Sequence, residues 1–539
     1  MGTLGLPLAV LVGASLLEQV SRSAADDPFA GIHQLEWFDL ALLIPYFTLV
    51  ALLGLFGLHR YVTLWRYWRY GRNLKPTPLR EFEELPAVTI QLPLYNERFV
   101  VARLLEAVSE IDYPRDRLQI QVLDDSTDET HVLAERLVGE YRARGVPMEY
   151  HHRKHRTGFK AGALEAGLKS ATGELIAIFD ADFVPPRDFL RRTVHYFTDP
   201  EVGLVQTRWT YLNRHYNVLT EVQAILLDGH FVLEHPARAA TGLFFNFNGT
   251  GGIMRRAMIE DAGGWQHDTL TEDSDLSYRA QLKGWKFIYL PEVECPSELP
   301  VETYAFQVQQ SRWAKGLTQV ALKLLPSILR APIPLREKFE AVFHLAPNLS
   351  YPAMILVSVL ILPVMIVRFY IGWHQMLFVD LPIIWATFVS IVAFYLVSQR
   401  ERDPRGWKRA IALMPALIAA GISLTLINSR AVMEALLRIP SGFVRTAKYA
   451  IAGSDRRPTV ERAKYRRRSG WLPYLELACG AYFLMMVGFS ISTFNFFAVP
   501  FLLLFVGGYF WAALTTLYEE HQDRLRWQRE HEVGIQPAD

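Results

Sequence analysis

Long apolar runs crowd both ends of the chain, and short ones fill its middle. Residues 37–59, "WFDLALLIPYFTLVALLGLFGLH", reach the length of about 20 apolar residues that a helix needs to cross a bilayer core. A basic stretch rich in Trp and Tyr, "RYVTLWRYWRYGRNLK", follows at once, whereas Asp26, Asp27 and Glu36 precede it. That asymmetry predicts a span running from outside to inside. Residues 3–17 are also apolar but lack a basic leader, which predicts a second span or an uncleaved signal-like segment. Runs at 348–369, 376–397, 472–492 and 495–517 each predict a further span. Residues 409–427 carry basic residues at both ends and Pro415 inside. One crossing would leave a basic flank outside, so the pattern predicts an interfacial or re-entrant helix. Past Tyr518 the polar residues predict a charged helix or a frayed end. The chain thus divides into a membrane region 1–74, a soluble domain 75–330, a second membrane region 331–517 and a tail 518–539.

Within 75–330 the pattern alternates between strand and helix periods. "AVTIQLPLYNE" (87–97) predicts a strand and a turn, "RFVVARLLEAVSEI" a helix, and "LQIQVLDDSTDET" a buried strand that stops at Asp124-Asp125. The helical "HVLAERLVGEYRAR" leads to a short strand around Met148–His151. A Gly-rich turn, "RTGFKAGALEAGLKSA", and the strand "ELIAIFDAD" follow. Strand–helix alternation of this kind predicts a Rossmann-like α/β domain with a mostly parallel sheet. Ligands of such sheets sit outside the carboxyl ends of the strands, where both Asp124-Asp125 and Asp180-Ala181-Asp182 fall.

Composition adds limits. A formal charge of +1 over 539 residues gives no bulk attraction to nucleic acid. Cys295 and Cys479 form no metal or disulfide framework. Aromatics make up 13% of the chain and gather in the leucine-rich runs, as in membrane proteins. "FNFFAVPFLLLFVGGYFW" suits lipid or core.

Candidate chemistry sits at the strand ends. Strand alternation would turn Asp180 and Asp182 to one side, and two carboxylates in that arrangement suit Mg²⁺ or Mn²⁺ completed by water and phosphate. One such pair alone reads as a turn cap; two pairs, each closing an apolar strand, favour a cation. Lys160 sits on a Gly-rich backbone as either a phosphate neighbour or an exposed turn residue. Gly249, Gly251 and Gly252 let backbone approach a ligand closely. Thr271-Glu272-Asp273 either cap a helix or supply Asp273 as a general base. In "QVQQSRWAKG", Gln309 and Arg312 share a helix face, and Trp313 either anchors at the membrane interface or stacks on a sugar.

Taken in order, "PLYNE", "LDDSTD", "GFKAGAL", "FDADF", "FNGTGG", "LTEDSDLSYR" and "QQSRW" resemble the processive family 2 glycosyltransferases. These are membrane-embedded synthases of cellulose, mannan and related β-linked glycans, with the signature D, DxD, TED and QxxRW. The similarity spans about residues 85–450. "QVLDDSTDET", "GGWQHDTLTED" and "LKGWKFIYLPEVECPSELP" resemble most the cellulose-synthase-like branch with the glucomannan and mannan synthases.

The resemblance implies a GT-A catalytic domain between transmembrane helices, on the cytoplasmic face of a bacterial-type inner membrane. It implies inverting transfer from GDP-mannose or UDP-glucose to a growing glycan, with Mg²⁺ or Mn²⁺. Asn96, Glu97, Asp124, Asp125, Lys160 and Asp180 would hold the donor, and Asp180 and Asp182 the metal. Asp273 would be the base, with Glu272 beside it. Phe247, Asn248, Gly249 and Thr250 would line the acceptor path; Gln309, Arg312 and Trp313 would hold the acceptor end and the leaving diphosphate. "GFVRTAKYA" resembles a gating loop over 441–450, matched by Phe443, Thr446 and Lys448. A homo-oligomer or an accessory secretion subunit would be in keeping. An enzyme making a single transfer to ceramide or a polyprenyl phosphate shares part of this signature and is the alternative.

Overall fold

The computed structural model describes residues 33–371, 377–440, 442, 445–446, 448–453, 469–493 and 495–533. The expected segment 3–17 lies outside these, as does Phe443.

Helix α1 (Trp37–Arg66) runs on into a π turn, Tyr67–Gly71, and then the chain enters the soluble domain. Its seven strands are β1 (Val88–Leu94), β2 (Leu118–Asp124), β3 (Met148–His152), β4 (Leu175–Ile178), β5 (Val202–Tyr211), β6 (Gly252–Arg255) and β7 (Lys286–Ser297). They form one sheet in the order β3-β2-β1-β4-β6-β5-β7. β3, β2, β1 and β4 are mutually parallel, β5 is parallel to β7, and β6 alone runs antiparallel to its neighbours.

Both faces of the sheet are covered, so its strands have no solvent face. On β1, Val88, Ile90 and Leu92 pack into one core with Ile120, Val122 and helix α2 (Val101–Ser109). The opposite face of β1 is polar yet buried: Thr89 Oγ1 donates to Gln119 Oε1 at 2.8 Å, and Gln91 Nε2 to Gln121 Oε1 at 3.0 Å. Satisfied in pairs, these groups tolerate burial. Helix α3 (Thr130–Ala143) joins β2 to β3.

The segment expected as a Gly-rich turn after β3 is mostly helix, α4 (Phe159–Ser170). Only Gly158 serves the turn, with a left-handed φ of +74°. Gly167 serves packing instead, since a Cβ there would stand 2.7 Å from Gln91 Nε2 and 2.8 Å from Leu123 Cδ1. A second difference concerns β4, which ends at Ile178. Asp180 and Asp182 therefore lie in the turn beyond it, and strand alternation does not set their directions.

Helix α5 (Val218–Asp228) lies between β5 and β6 and α6 (Glu272–Leu282) between β6 and β7; past the sheet come the long α7 (Thr303–Arg330) and α8 (Leu335–Leu345). The membrane-type helices are α9 (Ser350–Ile371), α10 (Leu377–Arg402), α11 (Lys408–Ser423), α12 (Thr425–Leu436), α13 (Leu472–Ser492) and α14 (Val499–Val533). Among the described residues six helical segments, counting α1 and taking 408–436 as one, are long and apolar enough to cross a membrane. Close approach fixes some of their packing: a Cβ on Gly54 or Gly57 of α1 would meet Ile383 at 2.7 Å or Thr387 at 2.3 Å. α14 continues as the charged helix expected after Tyr518. Segment 408–436 breaks at Leu424, and both of its ends ion-pair with the soluble domain: Arg409 with Glu221, and Glu434 with Lys315 of α7.

Candidate functional site

Register brings the candidate residues to one edge. Leu94 pairs with Asp124 and Asp124 with His152, so the turn after β1 and both aspartate pairs gather at the carboxyl ends of the parallel strands. The two pairs meet different surroundings there. Asp124 is fully buried; its Oδ1 accepts from the Ser126 amide and its Oδ2 from the Tyr150 hydroxyl, both at 2.8 Å. Asp125 takes a bidentate fork from Arg153, Nε at 2.7 Å and Nη2 at 2.6 Å. Asn96, with a left-handed φ of +56°, closes the adjoining turn by accepting from the Thr127 amide at 2.8 Å. Glu97 accepts a second fork, from Arg445, at 3.0 and 2.9 Å. Burial pushes the Glu97 carboxyl up, and Arg445 opposes that shift.

Asp180 and Asp182 each face a lysine from elsewhere in the chain. Lys160, in the first turn of α4, sets its Nζ 2.6 Å from Asp180 Oδ1, 3.9 Å from Glu272 Oε1, and donates to the Gly249 carbonyl at 2.8 Å. Burial works against the Lys160 charge, but Asp180 and Glu272 outweigh it and raise the ammonium's pKa. Lys448 reaches Asp182 Oδ2 at 2.7 Å and also donates to the Glu298 carbonyl. Burial raises the Asp180 carboxyl, with Lys160 opposing. Arg312 of α7 is pulled down by burial and held charged by Asp180, Glu272, Asp182 and Asp273. One guanidinium thus shares its field with four carboxylates, which places them all in one cleft.

At the other side of that cleft, Glu272 and Asp273 open α6. No side chain caps this helix at Thr271; Asp273 Oδ1 instead accepts from the Ser274 amide at 2.6 Å. Burial first, and then the Glu272 charge, push the Asp273 carboxyl up to about 7. Gly249, with a φ of +82°, lies against it: a Cβ there would stand 2.9 Å from Asp273 Oδ2 and 3.3 Å from Lys160 Nζ. Only glycine gives both that conformation and that approach.

Asp273 also lines a cavity of about 1510 Å³ with Thr271, Asn248, Gln309 and Trp313. The cavity runs on between α1, α9, α10, α13 and α14, past Phe388, Phe483, Phe501 and Phe505. Of the four residues expected on the acceptor path, Asn248 lines it and Gly249 covers Asp273. Phe247 is 1% exposed and packs in the second core beneath Gly252, and Thr250 Oγ accepts from the Asp180 amide at 2.9 Å. Those two brace the site from behind. The "GTGG" glycine run demanded space there, and Phe247 fills it.

Thr446 and Lys448 are both buried, Lys448 beside Asp182. Four contributors escape motif reading: Arg153, Arg445, Glu298 and His230. Arg153 and Arg445 sit in basic runs, and sequence alone does not tell which member of a run meets which carboxylate. Glu298, buried at the end of β7, accepts from the Tyr449 amide at 2.7 Å, the Ile451 amide at 3.1 Å and Arg103 at 2.8 Å. Only its lone charge among apolar neighbours in "CPSELP" hinted at that role.

The donor set at Asp180 and Asp182 is carboxylate oxygen only, and one oxygen of each pairs with an ammonium in the position a cation would neutralise. That chemistry fits Mg²⁺ or Mn²⁺. Among the described residues no group of three or more His, Cys, Asp or Glu side chains gathers around one point.

Residues 86–316 match the family model described as "Glycosyltransferase like family 2". The chain is 42% identical over 275 residues to glucomannan 4-beta-mannosyltransferase 2 of Arabidopsis thaliana, covering 49% of this chain and 52% of that protein. It is 35% identical over 467 residues to "Probable glucomannan 4-beta-mannosyltransferase 7" of Oryza sativa subsp. japonica, covering 81% of this chain and 77% of that protein. Its match to the first relative thus spans about half of that relative's length. Among solved structures it is similar to the mannosyltransferase PcManGT from Pyrobaculum calidifontis in complex with GDP-Man and Mn²⁺, at 24% identity and a TM-score of 0.45, over 66% of this chain and 99% of that one. With its GT-A-type sheet and its carboxylate edge, the chain belongs to the family 2 glycosyltransferases, in the cellulose-synthase-like branch that holds the glucomannan 4-β-mannosyltransferases.

Proposed function

We propose that the protein polymerises a nucleotide sugar, GDP-mannose before UDP-glucose, into a β-linked, 1,4-joined mannan or glucomannan and passes the product into the membrane cavity. The observation that carries this is the place of Asp273: one side faces the Lys160–Asp180 pole and the other opens on a cavity that leads between membrane helices. The first sugar follows from the two plant relatives, both named as glucomannan mannosyltransferases.

In this reading the diphosphate lies along Lys160 and Arg312, with Asp180 and Asp182 as protein ligands of Mg²⁺ or Mn²⁺. Bound there, the cation would offset charge on the phosphate oxygens. The terminal sugar of the glycan rests near Trp313 and Gln309. Asp273 removes the proton from its hydroxyl; the hydroxyl oxygen attacks the anomeric carbon from the face away from the diphosphate; and the bond from that carbon to the phosphate oxygen breaks. The electron pair leaves with the diphosphate, where Lys160 and Arg312 meet the new charge, and the product has inverted configuration. A carboxyl near 7 can take that proton at neutral pH and return it to water. The bound strap around Arg445 and Lys448 sits over the donor edge, where a nucleotide would displace Lys448 from Asp182.

In the same reading the catalytic domain is cytoplasmic, which the positive flanks support. Segment 408–436 would then be re-entrant on that side, and the pairing of both its ends with the same domain supports this.

The test is turnover by the full chain in nanodiscs with Mn²⁺ and labelled GDP-mannose or UDP-glucose supplied separately. Long glycan from GDP-mannose, lost in Asp273→Asn, is the expected result. Label confined to the lipid extract would replace this reading with a single-transfer enzyme.

A further inference from the structure

The cavity beneath Asp273 has mostly aliphatic and aromatic walls, but one stretch near the site is polar: Gln223, His230, Glu234, Asn246 and Asn248. His230 and Glu234 sit on a π-helical turn, Gly229–Glu234, that follows α5. A π turn shifts the phase of a helix and recurs where a function needs it. Here it sets His230 and Glu234 on the cavity side, with Phe231 of an apolar cluster beside them, while Leu233 from the same turn is buried away from it.

The contacts tie this turn to the reacting end. His230 Nε2 lies 3.0 Å from Asn248 Oδ1, and Asn248 precedes the Gly249 that covers Asp273. His230 Nδ1 lies 3.1 Å from Glu234 Oε2, and Arg238 Nε donates to Glu234 Oε1 at 3.2 Å. Burial works against the Glu234 charge, but His230 and Arg238 outweigh it and hold the carboxyl well below its ordinary range. An ionised carboxylate has about four acceptor positions. Two are used here, which leaves two for whatever occupies the cavity. Asn246 adds an amide at the same wall, bonded only within its own loop, to the Phe247 carbonyl at 3.0 Å and to Asn248 Oδ1 at 3.3 Å.

A charge kept this deep, with open acceptor positions and aromatic surface beside it, suits a hydroxyl-bearing ring. We propose that Glu234 is a sugar subsite of the acceptor chain, taking hydrogen bonds from ring hydroxyls behind the reacting residue, with Asn246 as a second contact and His230 as the positioning residue. This rests on the polymerase reading above.

The experiment measures the KM for β-1,4-mannohexaose at saturating GDP-mannose, and GDP affinity by calorimetry, for the full chain in nanodiscs. Glu234→Gln is expected to raise the oligosaccharide KM about tenfold, the loss of one charge-assisted hydrogen bond, with GDP affinity unchanged. His230→Gln should raise it less, and Asn246→Ala, whose amide holds no other element, serves if the Glu234 variant does not fold. A wild type that elongates the oligosaccharide while Glu234→Gln and Asn246→Ala keep its KM overturns this inference alone. A wild type that elongates no oligosaccharide and labels only lipid overturns the polymerase reading and this inference with it.

Discussion

Asp124 and Asp125, at the end of β2, have all four carboxylate oxygens held by neighbours within their own part of the domain, whereas Asp180 and Asp182 past β4 each face one lysine brought from elsewhere. The first pair is sealed, with Asp124 wholly buried. The second stays part-exposed, the Asp180 side chain at 33% and Asp182 at 18%. Satisfied carboxylates shape turns; carboxylates that each face a single ammonium can exchange it for another cation. In the proposed reading the two pairs would divide the labour: one would build the donor edge, and the other would meet the charge that arrives there.

That division can be broken by substitution. The largest effect belongs to Asp273, the proposed base: Asp273→Asn should lower kcat about a thousandfold, measured as glycan formed per enzyme, with the fold intact. Asp182→Asn should lower kcat/KM about a hundredfold, an electrostatic loss at the leaving group, with little change in thermal midpoint. Asp125→Ala should do the reverse. It strands Arg153 and costs about 3 kcal/mol of stability, read as a lower melting temperature in detergent, with a smaller loss of activity. Acid pH gives a graded effect. Asp273 is raised to about 7, so it is protonated below that pH and cannot accept a proton. The log of kcat/KM should fall with unit slope as pH drops below about 7. The same shift makes the charged form costly in the fold, so stability is lost as pH rises through that range, and Asp273→Asn should melt higher than wild type at pH 8.

Strand-end carboxylates, the opening residues of α6 and the helical spacing of Gln309 and Arg312 were all legible in the sequence, because each rests on local periodicity. What stayed hidden depends on contacts far apart in the chain. "DD" and "DAD" read alike until Arg153 and Tyr150 close on one and Lys160 and Lys448 on the other. The α4 glycines looked like a turn because packing against Gln91 and Leu123 demands the same small residue that a turn does. Phe247 followed its motif neighbours onto the acceptor path by proximity, although its ring packs in the core. The π turn at Gly229–Glu234 leaves no mark on a pattern read at a single helical period.

The most direct measurement is calorimetric titration of GDP into the full chain with and without Mn²⁺, in wild type, Asp182→Asn and Asp125→Asn. The account predicts that Mn²⁺ tightens GDP binding in wild type and in Asp125→Asn, and that Asp182→Asn abolishes that gain. A gain that survives in Asp182→Asn and disappears in a folded Asp125→Asn would contradict it.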